Sequence, residues 1–131
     1  MVRRPPLSKA EMQVARVLWE LGSATVRQVH EAMALERKID FTTVQTYLAR
    51  LETKGYLRSR MRGRSRVFTA RVRPRQVIGE TVDDFLNRLF GGESLPLMRH
   101  LIQERGISDA EFAKLHEMLR QWKDEQDESN K

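Results

Sequence analysis

The stretch DFTTVQTYLARLETKGYLRSRMRGRSRVFTARV, residues 40–72, decides how the chain folds. Stepping 100° per residue from Val44, the residues Tyr47, Leu48 and Leu51 fall within about 60° of it, so residues up to about Lys54 form one helix with one apolar side. Asp40 or Thr42 is placed to cap its start, and Gly55 to end it. Beyond Gly55 the period changes from helical to alternating. YLRSRM alternates, RGRS is a turn centred on Gly63, and RVFTARV alternates again, which predicts a two-stranded hairpin directly after the helix.

Working back toward the amino terminus, Ser8 and Glu11 have the S-x-x-E spacing of a capping box. Val14, Ala15, Val17, Leu18 and Leu21 follow at helical spacing until Gly22. Thr25 can cap a second helix with Val26, Val29, Met33 and Ala32 toward its buried side, and ERKID breaks it from the third. Three helices this short cannot stand alone and must share one core. Helix, helix, helix, hairpin is the order of a winged helix-turn-helix.

Pro74 marks a boundary between a domain at 1–73 and a helical region at 74–131. QVIGETVDDFLNRLFGG, SLPLMRHLIQERG and SDAEFAKLHEMLRQWKDEQDESNK read as three further helices, the last opened by a second box, Ser108 and Glu111. Its apolar positions Phe112, Leu115, Met118, Leu119 and Trp122 recur at spacings of three and four. With Phe85, Leu86, Leu89, Phe90, Leu97 and Leu101 they leave apolar faces with no core of their own. A second copy of the chain is the expected cover, since most soluble oligomers are homodimers; packing back onto the amino-terminal domain is the alternative. The aromatic residues, Trp19 included, are expected as core rather than as a ligand cage, and the terminal DEQDESNK is expected to fray.

Charge is divided along the chain. Residues 1–75 carry 17 Lys and Arg against 6 Asp and Glu, a net of +11, while residues 76–131 carry 7 against 12, a net of −5. A basic part of this kind points to a polyanion partner, although a solvated basic surface has the same composition. Apolar residues make up 40% of the 131 positions, enough to bury a core in one domain with a short accessory region. The absence of cysteine excludes disulfides, thiolate metal sites and cysteine catalysis, and suits a reducing cytoplasm. MVRRPPLSKAE holds no apolar run, and no stretch approaches membrane-spanning length, so a cytoplasmic location without membrane insertion is expected.

The side of the third helix opposite Val44 carries Thr42, Gln45, Thr46, Ala49, Arg50 and Thr53. Thr and Gln are poor choices for bare helix stability but suit a major groove. Hydroxyls meet phosphates or base edges, a threonine methyl meets a thymine methyl, and glutamine pairs bidentately with adenine. Ala49 keeps the middle of that face low. In the hairpin, Arg58, Arg60, Arg62, Arg64 and Arg66 place a guanidinium at every second position. These suit phosphates or a narrow minor groove and are expected on one face, with a shift of register at the turn. A row of edge-strand charges that blocks aggregation is the alternative.

Catalysis finds little support. His30, His100 and His116 sit on three different helices; His30-Glu31 and His116-Glu117 each begin like a zinc-peptidase motif, but Ala34 and Arg120 stand where its second histidine belongs. There is no glycine-rich phosphate loop or nucleophile elbow. No metal and no cofactor are expected.

The segments LSKAEMQVARVLWELGSATVRQV and TVQTYLARLETKGYLRSRMRGRSRVFTARV resemble the penicillinase-repressor family of bacterial transcription regulators, the BlaI/MecI/CopY group. The marks are Ser8, Ala10, Glu11, Leu18 and Trp19, then Thr43, Val44, Thr46, Leu48, Arg50, Leu51, Lys54 and Gly55. The resemblance is specific over residues 7–72 and looser beyond. It implies a homodimer on a palindromic operator, repression of a resistance or stress operon, and, in antibiotic-responsive members, cleavage triggered by a membrane sensor metallopeptidase. Three positions depart from the family pattern. Met98-Arg99 or nearby residues stand where the cleaved members carry Asn-Phe. The carboxy-terminal cysteines of copper-responsive members are missing. Ile39 replaces a tryptophan usual before the third helix.

The expected fold is therefore mainly α: an amino-terminal winged helix-turn-helix followed by a helical dimerisation region. The expected function is a sequence-specific repressor of double-stranded DNA. Thr42, Thr43, Gln45, Thr46 and Arg50 would serve as recognition-helix contacts, and Arg60, Arg62, Arg64 and Arg66 as wing and backbone contacts. An architectural protein that binds nucleic acid without sequence preference is the alternative.

Overall fold

The computed structural model describes residues 4–130. Its elements are α1 (Lys9–Leu21), β1 (Ser23–Thr25), α2 (Val26–Ala34), α3 (Phe41–Thr53), β2 (Leu57–Arg62), β3 (Ser65–Ala70), α4 (Pro74–Phe90), α5 (Leu95–His100), a π-helical turn at Leu101–Arg105, and α6 (Asp109–Ser129). The architecture is a winged helix with a small antiparallel sheet, followed by helices.

Local chemistry fixes the helix ends. Ser8 caps α1 through a complete box with Glu11, and Ser108 caps α6 likewise with Glu111. Thr25 caps α2 through a box with Gln28, a glutamine version of the same device. Asp40 occupies the cap position of α3 but makes no side-chain cap hydrogen bond, and Thr42 lies inside the helix. Gly55, at φ 91°, closes α3: its N–H donates to Glu52 and that of Tyr56 to Leu51, the paired bonds of a Schellman motif. Pro74 is the first residue of α4, where its fixed φ fits and its missing N–H costs nothing.

The sheet is larger than the expected hairpin. β1 pairs with β3, giving the order β1-β3-β2, with Ala24 opposite Phe68 and Ser59 opposite Phe68 on its other side. Three residues are too few to show an alternating period, so β1 was invisible without its partner. Gly63, at φ 66°, supplies the left-handed residue that the two-residue loop between β2 and β3 requires.

The core joins α1, α2, α3 and the sheet through Val14, Leu18, Val29, Val44, Leu48, Leu51, Leu57 and Phe68, all buried. Leu21, expected in the α1 stripe, is exposed at the helix end. Contacts divide the chain into two units, one ending at Val82 and the other beginning at Asp83, so the division falls within α4. The first turns of α4 pack with the winged helix: Val77 is 2% exposed in its core. Among the described residues of the second unit none is buried. The acidic tail expected to fray continues α6 to Ser129, with Lys123 and Asp127 paired one turn apart; Lys131 lies outside the described residues. Among the described residues no helix is long and apolar enough to cross a membrane.

Candidate nucleic-acid interface

α3 is held from both ends. At its carboxy-terminal end, the Lys54 ammonium donates to the Glu11 carboxylate at 2.7 Å and to the Pro6 carbonyl at 3.1 Å. Glu11 is 2% exposed. Burial by itself would raise its pKa; the hydrogen bond from Lys54, those from the Ser8 backbone and hydroxyl, and the Lys54 charge outweigh that and leave it below the ordinary 4.5. The amino-terminal arm continues the attachment. The Tyr56 hydroxyl donates to the Pro5 carbonyl at 2.7 Å, and Arg4 lies over the Tyr56 ring and reaches Glu80 at 3.4 Å. At the other end, His30 Nε2 donates to the Ile39 carbonyl at 2.8 Å, and its ring meets Phe41 edge to face. Ile39 packs against the core.

So anchored, α3 buries Val44, Leu48 and Leu51 and half-buries Tyr47. Thr42, Gln45, Thr46, Ala49, Arg50 and Thr53 are exposed, whereas Thr43 is half-buried at the edge of the face. Gln45, Thr46, Ala49, Arg50 and Thr53 line one shallow concavity with Lys54. The threonines present less than their formula suggests. Thr46 donates its hydroxyl to the Thr42 carbonyl at 2.9 Å and Thr53 donates to Ala49 at 3.0 Å, so each offers solvent only a methyl and acceptor lone pairs. The Arg50 guanidinium lies 5.5 Å from the Tyr47 ring centre, a cation–π contact that restrains it. Glu52 is the carboxylate nearest this face in sequence, and it is occupied, accepting from Ser59 on β2.

The arginines of the hairpin do not share one face. Register pairs Arg58 with Thr69, Arg60 with Val67 and Arg62 with Ser65, but Arg66 with Met61. Alternation places Leu57, Ser59, Met61, Arg66 and Phe68 on the side turned to the helices, and Arg58, Arg60 and Arg62 on the open side. The two-residue loop sets this, because crossing it moves the odd-even relation by one position. Arg66 donates to the Ser59 hydroxyl at 2.9 Å, which completes a chain from Glu52 on α3 through β2 to β3. Arg64 sits in the loop, and Arg60, Arg62, Arg64 and Arg66 are all exposed. Residue spacing carries no sign of the Glu52–Ser59–Arg66 chain, which links three different elements, or of the Arg4–Pro6 arm, whose contacts join residues far apart along the chain.

The residues expected at a dimer contact lie in the second unit and the end of α4. Phe85, Leu89, Leu101, Phe112, Leu119 and Trp122 are exposed, and Leu86, Phe90, Leu97 and Leu115 are half-buried. Phe85 and Phe90 pack on each other, as do Phe112 and His116. Of the aromatic residues read as core, Trp19 packs against the core of the winged helix, whereas Phe112 and Trp122 are uncovered within one chain at 60% and 59% exposure. Met98 and Arg99 are exposed on α5. Among the described residues no group of three or more His, Cys, Asp or Glu could hold a metal ion.

Comparison with known proteins agrees with this geometry. A family model described as Penicillinase repressor matches residues 7–121. The penicillinase repressor of Bacillus licheniformis is 27% identical over 128 residues, covering 98% of this chain and all of that one. The methicillin resistance regulatory protein MecI of Staphylococcus aureus (strain N315) is 20% identical over 113 residues, covering 86% of this chain and 92% of that one. The solution structure of the DNA-binding domain of the repressor BlaI superposes with a TM-score of 0.51 at 31% identity, covering 56% of this chain and 90% of that one.

Proposed function

The chain belongs to the penicillinase repressor family, and from that premise we propose that it acts as a homodimeric repressor on a palindromic DNA operator. One observation carries the reading: α3 exposes a low, hydrogen-bonding face from Thr42 to Thr53 with no free carboxylate, and the wing beside it is tied to the same helix through Glu52, Ser59 and Arg66.

In this mechanism α3 enters a major groove. Gln45 and the threonine methyls meet base edges, and Arg50 meets a phosphate or a guanine. Arg62 and Arg64 at the wing tip meet the adjoining backbone, where a guanidinium binds two phosphate oxygens at once. Two copies, joined through the uncovered apolar faces of α4, α5 and α6, would read half-sites about 34 Å apart or a multiple of that. If each subunit neutralises about four phosphates, the dimer's affinity should follow salt with a log-log slope near −7.

The test is selection of duplexes from a random pool, followed by binding of the selected duplex and a scrambled one at several salt concentrations. A palindromic consensus with a steep salt slope and a clear preference over the scramble is expected. Equal binding of both duplexes would replace this reading with a binder that has no sequence choice. A slope near zero would reject the electrostatic account.

A further inference from the structure

Met61 is the apolar side chain in the most cationic part of the molecule. It lies on edge strand β2 between Arg60 and Arg62, is 55% exposed, and pairs across the ladder with Arg66. Its side of the strand is the one that carries Ser59, whose hydroxyl donates to Glu52 on α3. Met61 therefore projects from the wing on the recognition-helix side, while Arg60 and Arg62 project from the opposite side.

We infer that Met61 is an apolar contact of the wing to the minor groove of DNA, next to the major groove that α3 occupies. The inference rests on the placement of α3 proposed above. Three features select this partner. A protein surface docking here would need a larger apolar patch, but the neighbours of Met61 in the strand and across the ladder are all arginines. A minor groove combines the two demands that the wing makes, since its potential is strongly negative and its walls are the apolar faces of deoxyribose. An unbranched thioether side chain also adapts to an irregular slot, and methionine is among the apolar residues that wedge into minor grooves. Contact of this kind reads groove width and the presence of the guanine 2-amino group, so it gives sequence preference outside the positions that α3 reads.

The experiment uses the full chain and a selected operator duplex whose wing-contacted flank is A·T, G·C or inosine·C. Inosine lacks the 2-amino group but leaves the major-groove edge of the pair unchanged. The wild-type chain should bind the A·T and inosine·C flanks about threefold or more tighter than the G·C flank. Met61→Gln, which keeps length and adds no charge, should lose that preference. It should keep the salt slope and the base preferences under α3. A Met61→Gln chain with the wild-type flank preference would overturn the assignment, as would a wild-type chain that ignores the flank while still choosing its operator. A wild-type chain that chose no operator at all would overturn both this inference and the repressor reading.

Discussion

The Glu11 carboxylate and the Lys54 ammonium lie 2.7 Å apart, joining the first turn of α1 to the residue that caps the end of α3 across 43 positions of sequence. Glu11 also closes the capping box with Ser8, so one buried group terminates one helix and fixes the end of another. Lys54 keeps contact with water, its side chain being 26% exposed. The pair therefore works as an anchor for the helix that carries the candidate interface.

Removing one partner should cost more than removing both. Glu11→Leu leaves the Lys54 ammonium facing an apolar site, and a loss of about 1–3 kcal/mol in urea unfolding is expected, less than for a fully buried pair because Lys54 is partly hydrated. Adding Lys54→Met should recover part of that loss. A double variant that loses the full sum of the two single effects would show that the two groups are not coupled.

Acid should act through the same carboxylate. Its folded pKa lies below the ordinary 4.5, so the proton binds the unfolded chain more tightly than the folded one. The stabilisation from this group is then fully present above about pH 4.5–5 and is lost as pH falls through the folded value. Urea midpoints measured from pH 7 down to about pH 3 should fall less steeply in Glu11→Gln than in the wild type. Parallel curves would remove Glu11 as the source.

On α3, substitutions at three residues separate three kinds of contact. Arg50→Ala should weaken operator binding and reduce the salt slope by about one per subunit. Gln45→Ala should relax base preference by about 1–3 kcal/mol at one position per half-site. Thr46 spends its hydroxyl proton on Thr42, which leaves its methyl as the group able to meet a thymine. Thr46→Val should accordingly retain more affinity than Thr46→Ser, and the difference should vanish when uracil replaces that thymine. All four variants should unfold within about 0.5 kcal/mol of the wild type, since the sites are exposed.

The apolar faces beyond Val82 predict a concentration-dependent assembly. Phe112→Ala with Trp122→Ala should shift sedimentation from dimer to monomer while leaving the winged helix folded. Affinity for a single half-site should stay near the wild-type value, and affinity for the full palindrome should fall about 100-fold or more, the gain in effective concentration that linkage supplies. A double variant that still sediments as a dimer would move the contact elsewhere.

Residue spacing alone determined the three amino-terminal helices, their caps at Ser8 and Thr25, the hairpin, and the exposed side of α3, because periods of 3.6 and 2 are local properties written in consecutive residues. It also supplied the box at Ser108 that opens α6. Tertiary structure decided the rest: the third strand at Ser23–Thr25, the division of the arginines between two faces, and the contacts that hold α3 in place. The third strand and the anchors of α3 depend on groups distant in sequence arriving side by side, and the division of the arginines on the pairing register of the hairpin. A strand of three residues has no period until its partner supplies hydrogen bonds. The face on which Arg66 falls follows from the number of residues in one loop, and Glu11 can stay charged in the interior only because Lys54 arrives beside it.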